Sequence, residues 1–416
     1  MNVLYERDSG MYKNGVKTAS LYDSALLITV AAFLLISVVM VYSSSSVVAL
    51  TNYDDAAYFM KRQVLWIIIG LALMVIAMHT DHRMFCDDRA ALGLVIVSLL
   101  LLAATFVPVI GREVNGARRW LSLGALTFQP SELAKFTVVV YLSYSIAKKG
   151  ERIRDFAQGL VPVFVVTGMF IGVVVFQPDF GTAMMLAGVT FIMLFVGGAR
   201  IAHLSGVLLV FLPVAYFAVV ETAYRARRIF AFLDPWSDPK GAGYQIIQSF
   251  LAFGSGGIFG RGLGEGRQKL LFLPERHSDF IYAVIGEEVG IIGALVVLVL
   301  FCIILWRGVV ISLTVKERFS SLLAVGITVL ISLQAFINMA VVTGILPTKG
   351  TVLPLVSFGG SSLVVTLVAI GVLLNISREI VHGGSGMRLP ASRSRTVYRG
   401  SNNAMNTTGR NRRYGT

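Results

Sequence analysis

Six ionisable side chains stand in otherwise apolar surroundings: Arg119, Glu132, Lys135, Asp179, Asp279 and Lys349. Ionised groups in or at the ends of membrane-length apolar runs are costly, so each is a functional candidate. Glu132 and Lys135 are three residues apart on one helix face, which suits an ion pair as well as it suits ligand binding. Asp179 lies in the turn QPDFG, where capping the following helix is its simplest role. Asp279 precedes Glu287 and Glu288 in HSDFIYAVIGEE, at the mouth of an apolar run, where it too could cap a helix. Carboxylates and cations beside lipid headgroups suit glycosyl or phosphate-group transfer. A carboxylate deprotonates an acceptor hydroxyl, and cationic side chains, with a divalent cation such as Mg²⁺ or Mn²⁺, neutralise a departing pyrophosphate. The same inventory also suits a transporter whose carboxylates carry protons. The chain has no H-E-x-x-H, no Cys/His cluster and no serine nucleophile elbow. The histidines (His79, His82, His203, His277, His382) are scattered, and Cys86 and Cys302 read as isolated buried thiols.

The elements that must position these groups are membrane helices. The chain has 416 residues, 56% of them hydrophobic and 14% charged, against roughly 25% charged in a soluble domain. This excludes a soluble enzyme, a disordered regulator and a fibrous protein. Ten apolar runs are visible, near 24–42, 63–79, 90–110, 130–147, 159–176, 181–198, 200–220, 281–306, 319–343 and 352–376. The first reads as a retained span. With the termini inside, the short cytoplasmic connections hold most of the Lys and Arg, including Arg83, Arg89, Lys148, Lys149, Arg152, Arg154 and Arg307. The expected fold is an all-α polytopic membrane protein of about ten transmembrane helices, with both termini cytoplasmic. One large extracytoplasmic loop, 221–280, lies between spans seven and eight. Residues 1–22 form a cytoplasmic segment, 23–380 the membrane domain, and 381–416 a basic cytoplasmic tail too poor in apolar residues to fold.

All six candidate charges then fall at the outer leaflet. The turns at Pro130, Pro178, Pro347 and Pro354 lie at the same level and break helices where irregular backbone would line a polar cavity. Within the long loop, YQIIQSFLAF (244–253) is too short to span and reads as a re-entrant or interfacial helix. The seven glycines between Gly254 and Gly266 let the backbone approach a ligand. They form no nucleotide loop motif, and neither nucleotide nor nucleic acid is expected. The loop's basic surface suits an anionic ligand such as a phosphorylated lipid.

Seven stretches occur together: GARRWLSLG (116–124), FQPSELAK (128–135), QPDFGTA (177–183), GYQIIQS (243–249), GIFGRGLGEG (257–266), LPERHSDFIYAVIGEE (273–288) and NMAVVTGILPTKGTVLPLVSFGGSS (338–362). In these the chain resembles the SEDS family (shape, elongation, division and sporulation), the polytopic peptidoglycan glycosyltransferases. The resemblance implies ten spans and polymerisation of lipid II into undecaprenyl-linked glycan strands. It places the essential acid at Asp279 and the basic residues at Arg119 and Lys135. With these, Glu132, Gln177, Asp179, Gln245, Gln248, Ser249, Lys349, Ser357 and Ser361 are the substrate-binding candidates. PTKG, with Lys349, is closer to the division branch than to the elongation branch. The implied partners are a class B penicillin-binding protein and other division proteins. Lipid II transport is the alternative activity, but charges confined to the outer leaflet favour polymerisation.

Overall fold

The computed structural model describes residues 22–114, 116–124, 126–220, 223–266 and 277–383. The N-terminal segment, the basic tail from 384 and the loop residues 267–276 lie outside the described residues. The helices are α1 (Ser24–Tyr53), α2 (Tyr58–His79), α3 (Asp88–Ala104), α4 (Pro130–Lys149), α5 (Val161–Phe176), α6 (Phe180–Val196) and α7 (Ile201–Val220). They continue with α8 (Ala223–Leu233), α9 (Tyr244–Gly256), α10 (Ile281–Glu288), α11 (Gly290–Thr314), α12 (Arg318–Val342) and α13 (Gly360–Gly383). Six spans are long and apolar enough to cross a membrane: Ser24–Tyr53, Tyr58–His79, Phe156–Phe176, Gly290–Thr314, Arg318–Val342 and Gly360–Glu379. The chain is a helical membrane protein. α4, α12 and α13 are buried on most faces, while α2, α5 and α11 leave an apolar face outward, as lipid-facing helices do. Cys302 lies on that outward side of α11, and Cys86 is also exposed, so the expected buried thiols are exposed ones.

Local chemistry explains the helix ends. The Asp23 carboxylate accepts from the Leu26 amide at 3.0 Å to cap α1 and also holds Arg307 of α11. Pro130 opens α4 at the position where its missing N–H is harmless. The Asp179 carboxylate caps α6, accepting from the Thr182 amide at 3.1 Å and its hydroxyl at 2.9 Å. The short helix expected at 244–253 is present as α9, which packs on α10.

Two features depart from the expected all-helical pattern. Between α3 and α4 the chain forms a three-stranded antiparallel sheet, β1 (Gly111–Val114), β2 (Ala117–Leu123) and β3 (Leu126–Phe128). Gly116 turns at φ +74°, and Ala117 and Leu121 point inward while Arg118 and Ser122 are exposed, the two-residue period of a strand. The eighth apolar run is also not one helix. It breaks between α10 and α11 at Gly290, whose φ of +78° favours glycine. The loop after α9 enters this break: the amides of Arg261 and Gly262 donate to the Glu287 and Glu288 carbonyls, each at 3.0 Å, and Ile291 donates to Gly257 at 3.0 Å. The groups freed by the break are thereby satisfied. The last helix starts at Gly360, later than the apolar run suggests, because the Pro347–Pro354 stretch before it is irregular and largely buried.

Candidate active site

The site forms where α4, α6, α10, α12 and the irregular 344–359 segment meet. Asp279 stands just before α10, but the N-cap of that helix is Phe280 and carries no side-chain cap bond, so capping does not explain Asp279. Its backbone is held tightly. The Asn338 amide donates to the carbonyls of Asp279 at 2.8 Å and Thr351 at 2.5 Å. The Ser357 hydroxyl donates to Ser278 O at 2.5 Å, and the Phe358 amide to His277 O at 2.9 Å. Residues 277–279 are thus fastened to the 344–359 segment and to α12. The carboxylate lies along that segment: a Cβ built on Gly350 would sit 3.4 Å from Asp279 Oδ2.

Lys349, beside Gly350, lays its stem over the first turn of α6, where a Cβ on Gly181 would be 3.2 Å from both its Cγ and its Cε. Burial pushes the Lys349 ammonium below its ordinary pKa; Asp179 opposes this and the positive charge of Lys135 reinforces it. Lys135 is buried, pairs with Glu132 at 2.8 Å and donates to Gln334 Oε1 at 2.7 Å. Gln334 in turn donates to Val352 O at 3.1 Å, tying this pair to the segment that holds Asp279. Arg228 on α8 donates to Thr348 O at 3.3 Å.

Several of the other expected site residues make contacts between elements of the bundle. Arg119 on β2 donates to the carbonyls of Gln177 at 2.9 Å and Pro178 at 2.5 Å, gripping the α5–α6 turn. The buried Gln177 amide donates to Leu102 O at 3.0 Å and Thr105 Oγ1 at 2.8 Å. Ser249 joins α9 to Val342 O at 2.6 Å. Ser361 accepts from the Gln129 amide at 3.0 Å, joining α13 to the start of α4. Gln245 and Gln248 are half-buried on α9. Ser249 and Gln177 have their polar atoms enclosed, so they position neighbouring elements. Asn338 and Gln334 were not singled out from the sequence, although amide side chains inside an apolar span are themselves a signal. The buried Glu287 and Glu288 lie apart from this site, with Ser43 donating to both Glu288 oxygens at 2.7 and 2.6 Å.

The oxygens near Asp279 suit a hard cation. Asn338 Oδ1 and Thr351 Oγ1 are buried with no hydrogen-bond partner, and with a carboxylate they form the donor type that Mg²⁺ prefers. Among the described residues one other group, His82, Glu317 and Glu379, has its acids close together. It lies at the far end of α2, and the Arg83 guanidinium already bridges both acids at 3.0 Å.

Comparison with known proteins agrees with this architecture. Residues 23–382 match the family model of the FtsW/RodA/SpoVE cell cycle proteins. The chain is 46% identical over 369 residues to a probable peptidoglycan glycosyltransferase FtsW of Geobacter metallireducens, covering 89% of this chain and 98% of that protein. It is 41% identical over 356 residues to the stage V sporulation protein E of Bacillus subtilis, covering 86% and 97%. Among solved structures, one chain comes from work on the structural coordination of polymerization and crosslinking by a peptidoglycan synthase complex. It superposes with a TM-score of 0.71 at 31% identity, covering 86% of this chain and 98% of that one. The rod shape determining protein RodA of Thermus thermophilus gives 0.64 at 28% identity, covering 87% and 98%. With a family model spanning nearly the whole described bundle and relatives aligned end to end, the chain belongs to the FtsW/RodA/SpoVE family of cell cycle proteins.

Proposed function

We propose that this chain is the division-type peptidoglycan glycosyltransferase, polymerising lipid II into glycan strands and releasing undecaprenyl pyrophosphate. The observation that carries the reading is Asp279, clamped through its backbone next to the Lys349 segment, with the Lys135–Glu132 pair tied to the same segment. In lipid II the sugar is α-linked to pyrophosphate and the polymer linkage is β-1,4, so one inverting displacement with a single general base is sufficient. The Asp279 carboxylate takes the proton of the acceptor hydroxyl. Lys349 and Lys135 supply positive charge for the pyrophosphate. Arg119 stays anchored to the 177–178 turn and holds that turn in place. A divalent cation held by Asp279, Asn338 and Thr351 would add charge neutralisation at the leaving group.

We read the topology as ten passes, α1 to α7, α10 with α11, α12 and α13, with cytoplasmic termini and residues 221–280 outside. The domain division at 1–22, 23–380 and 381–416 and location at the septum belong to this reading. The partner is a class B penicillin-binding protein. The family relative solved within a peptidoglycan synthase complex supports a partner of this kind. We place the partner's single span against the outward apolar face of α11, which carries Ile292, Leu295, Val296, Val299 and Leu300. The test is glycan synthesis from purified lipid II by the purified protein with its partner. Asp279→Asn should lower the rate by roughly 10²–10⁴-fold with an unchanged melting temperature. Near-normal polymerisation by a folded Asp279→Asn protein ends the assignment.

A further inference from the structure

Aromatic side chains cluster at the turn joining α1 to α2, at the same end of the bundle as Asp279. The rings of Tyr53 and Tyr58 lie flat on each other, 3.9 Å between centroids at 6°. The Arg62 guanidinium sits 4.8 Å from the Tyr58 centroid, and Phe59 meets both tyrosines edge-on at 5.8 and 5.3 Å. Phe59 also contacts His277 at 4.8 Å and Phe358 at 5.2 Å. The cluster is therefore built onto the backbone stretch that carries Asp279. Tyr58 is enclosed in the column between Arg62 and Tyr53, whereas Tyr53 ends the column and is 48% exposed. Among the described residues no further ring or cation covers Tyr53 beyond Tyr58 and Phe59.

A membrane-interface belt also collects tyrosines, but the surroundings differ here. Thr51, Asn52 and Asp54, which flank Tyr53 in the chain, are all exposed, so polar groups adjoin the ring. A flat aromatic face flanked by hydrogen-bonding groups is complementary to a pyranose: the axial C–H bonds of the sugar lie against the ring and its equatorial hydroxyl and amide groups reach those polar groups. The Arg62 and Tyr58 stack holds the platform rigid.

Resting on the glycosyltransferase reading, we propose that the Tyr53–Tyr58 stack is a sugar-binding subsite. It takes pyranose units of the β-linked N-acetylhexosamine chain outside the reacting pair and keeps the polymer engaged between transfers. The subsite takes part in no bond making.

The test compares Tyr53→Phe and Tyr53→Leu in the full-length protein with its partner. Leu keeps an apolar side chain but has no ring, whereas Phe keeps the ring and loses only the hydroxyl. Glycan length on gels should fall several-fold for Tyr53→Leu and stay near wild type for Tyr53→Phe. Saturation-transfer NMR with chitotetraose should show contact with the wild-type protein and lose it in Tyr53→Leu, a readout that needs no polymerisation. Unchanged product length in Tyr53→Leu, or equal shortening in both variants with a lowered melting temperature, overturns the subsite and leaves the glycosyltransferase reading standing. Absence of polymer from the wild-type protein would remove that reading, while the chitotetraose signal would still decide the subsite.

Discussion

Replacing Asn338 by alanine tests how much the reaction depends on the side chain that holds Asp279 still. One side-chain amide donates to two buried carbonyls, Asp279 O at 2.8 Å and Thr351 O at 2.5 Å. Removing it leaves two acceptors unsatisfied, at about 1–3 kcal/mol each, so the variant should lose about 2–6 kcal/mol of stability. The fold should survive, because the Ser357, Phe358 and Gln334 bonds still fasten the same two segments. What changes is the freedom of residue 279. A displacement of about 1 Å at a reacting group lowers the rate on the order of 10²-fold. Asn338→Ala should therefore reduce kcat about a hundredfold with a smaller change in KM for lipid II. Asn338→Asp, which replaces the donor by an acceptor, should be at least as impaired. The assay is steady-state polymerisation at several lipid II concentrations, beside a thermal melt in detergent. A lowered melting temperature with kcat within twofold of wild type would refute the positioning argument and leave Asn338 as a purely structural residue.

Other perturbations separate neighbouring roles. Lys135→Met leaves the buried Glu132 carboxylate without its cation and should destabilise by about 3–5 kcal/mol; adding Glu132→Gln should restore the melting temperature but not polymerisation, whereas recovery of both would make the pair structural only. Burial holds the Lys349 pKa below its ordinary value, so the folded state binds this proton less readily than the unfolded chain. Its contribution to stability therefore rises as pH climbs from the folded pKa to the unfolded value. Activity should fall through the same alkaline range as the ammonium is lost. Lys349→Arg should remove that alkaline limb if it still binds substrate, and an unchanged pH profile in an active Lys349→Arg protein would exclude Lys349 as its source. Gly256→Ala should lower the melting temperature, because the added methyl group would run into the Gly286 carbonyl where α9 packs on α10; an unchanged melt would show that the two helices can separate freely.

The amino-acid sequence determines what depends on neighbours in the chain. Long apolar runs specify membrane helices because a helix satisfies its backbone hydrogen bonds within the segment, and most of the observed helices follow those runs. Asp179 as the cap of α6, a short helix at 244–253 and the irregular backbone around Pro347 and Pro354 are likewise readable from local residue types. The tertiary structure alone decides the rest. The strands at 111–128 form because each pairs with the next through backbone bonds, and a seven-residue stretch such as ARRWLSL carries too little pattern to announce this. The break at Gly290 depends on a loop some 30 residues earlier supplying donors to the freed carbonyls. Asn338 and Gln334 become part of the site only because helix packing brings the 277–279 stretch, α4 and the 344–359 segment together. Lys135 and Gln334 are 199 residues apart, and Asn338 and Asp279 are 59 apart. Charge and hydropathy mark which groups must be buried or used; the partners each group finds are set by packing between distant segments, which local periodicity does not encode.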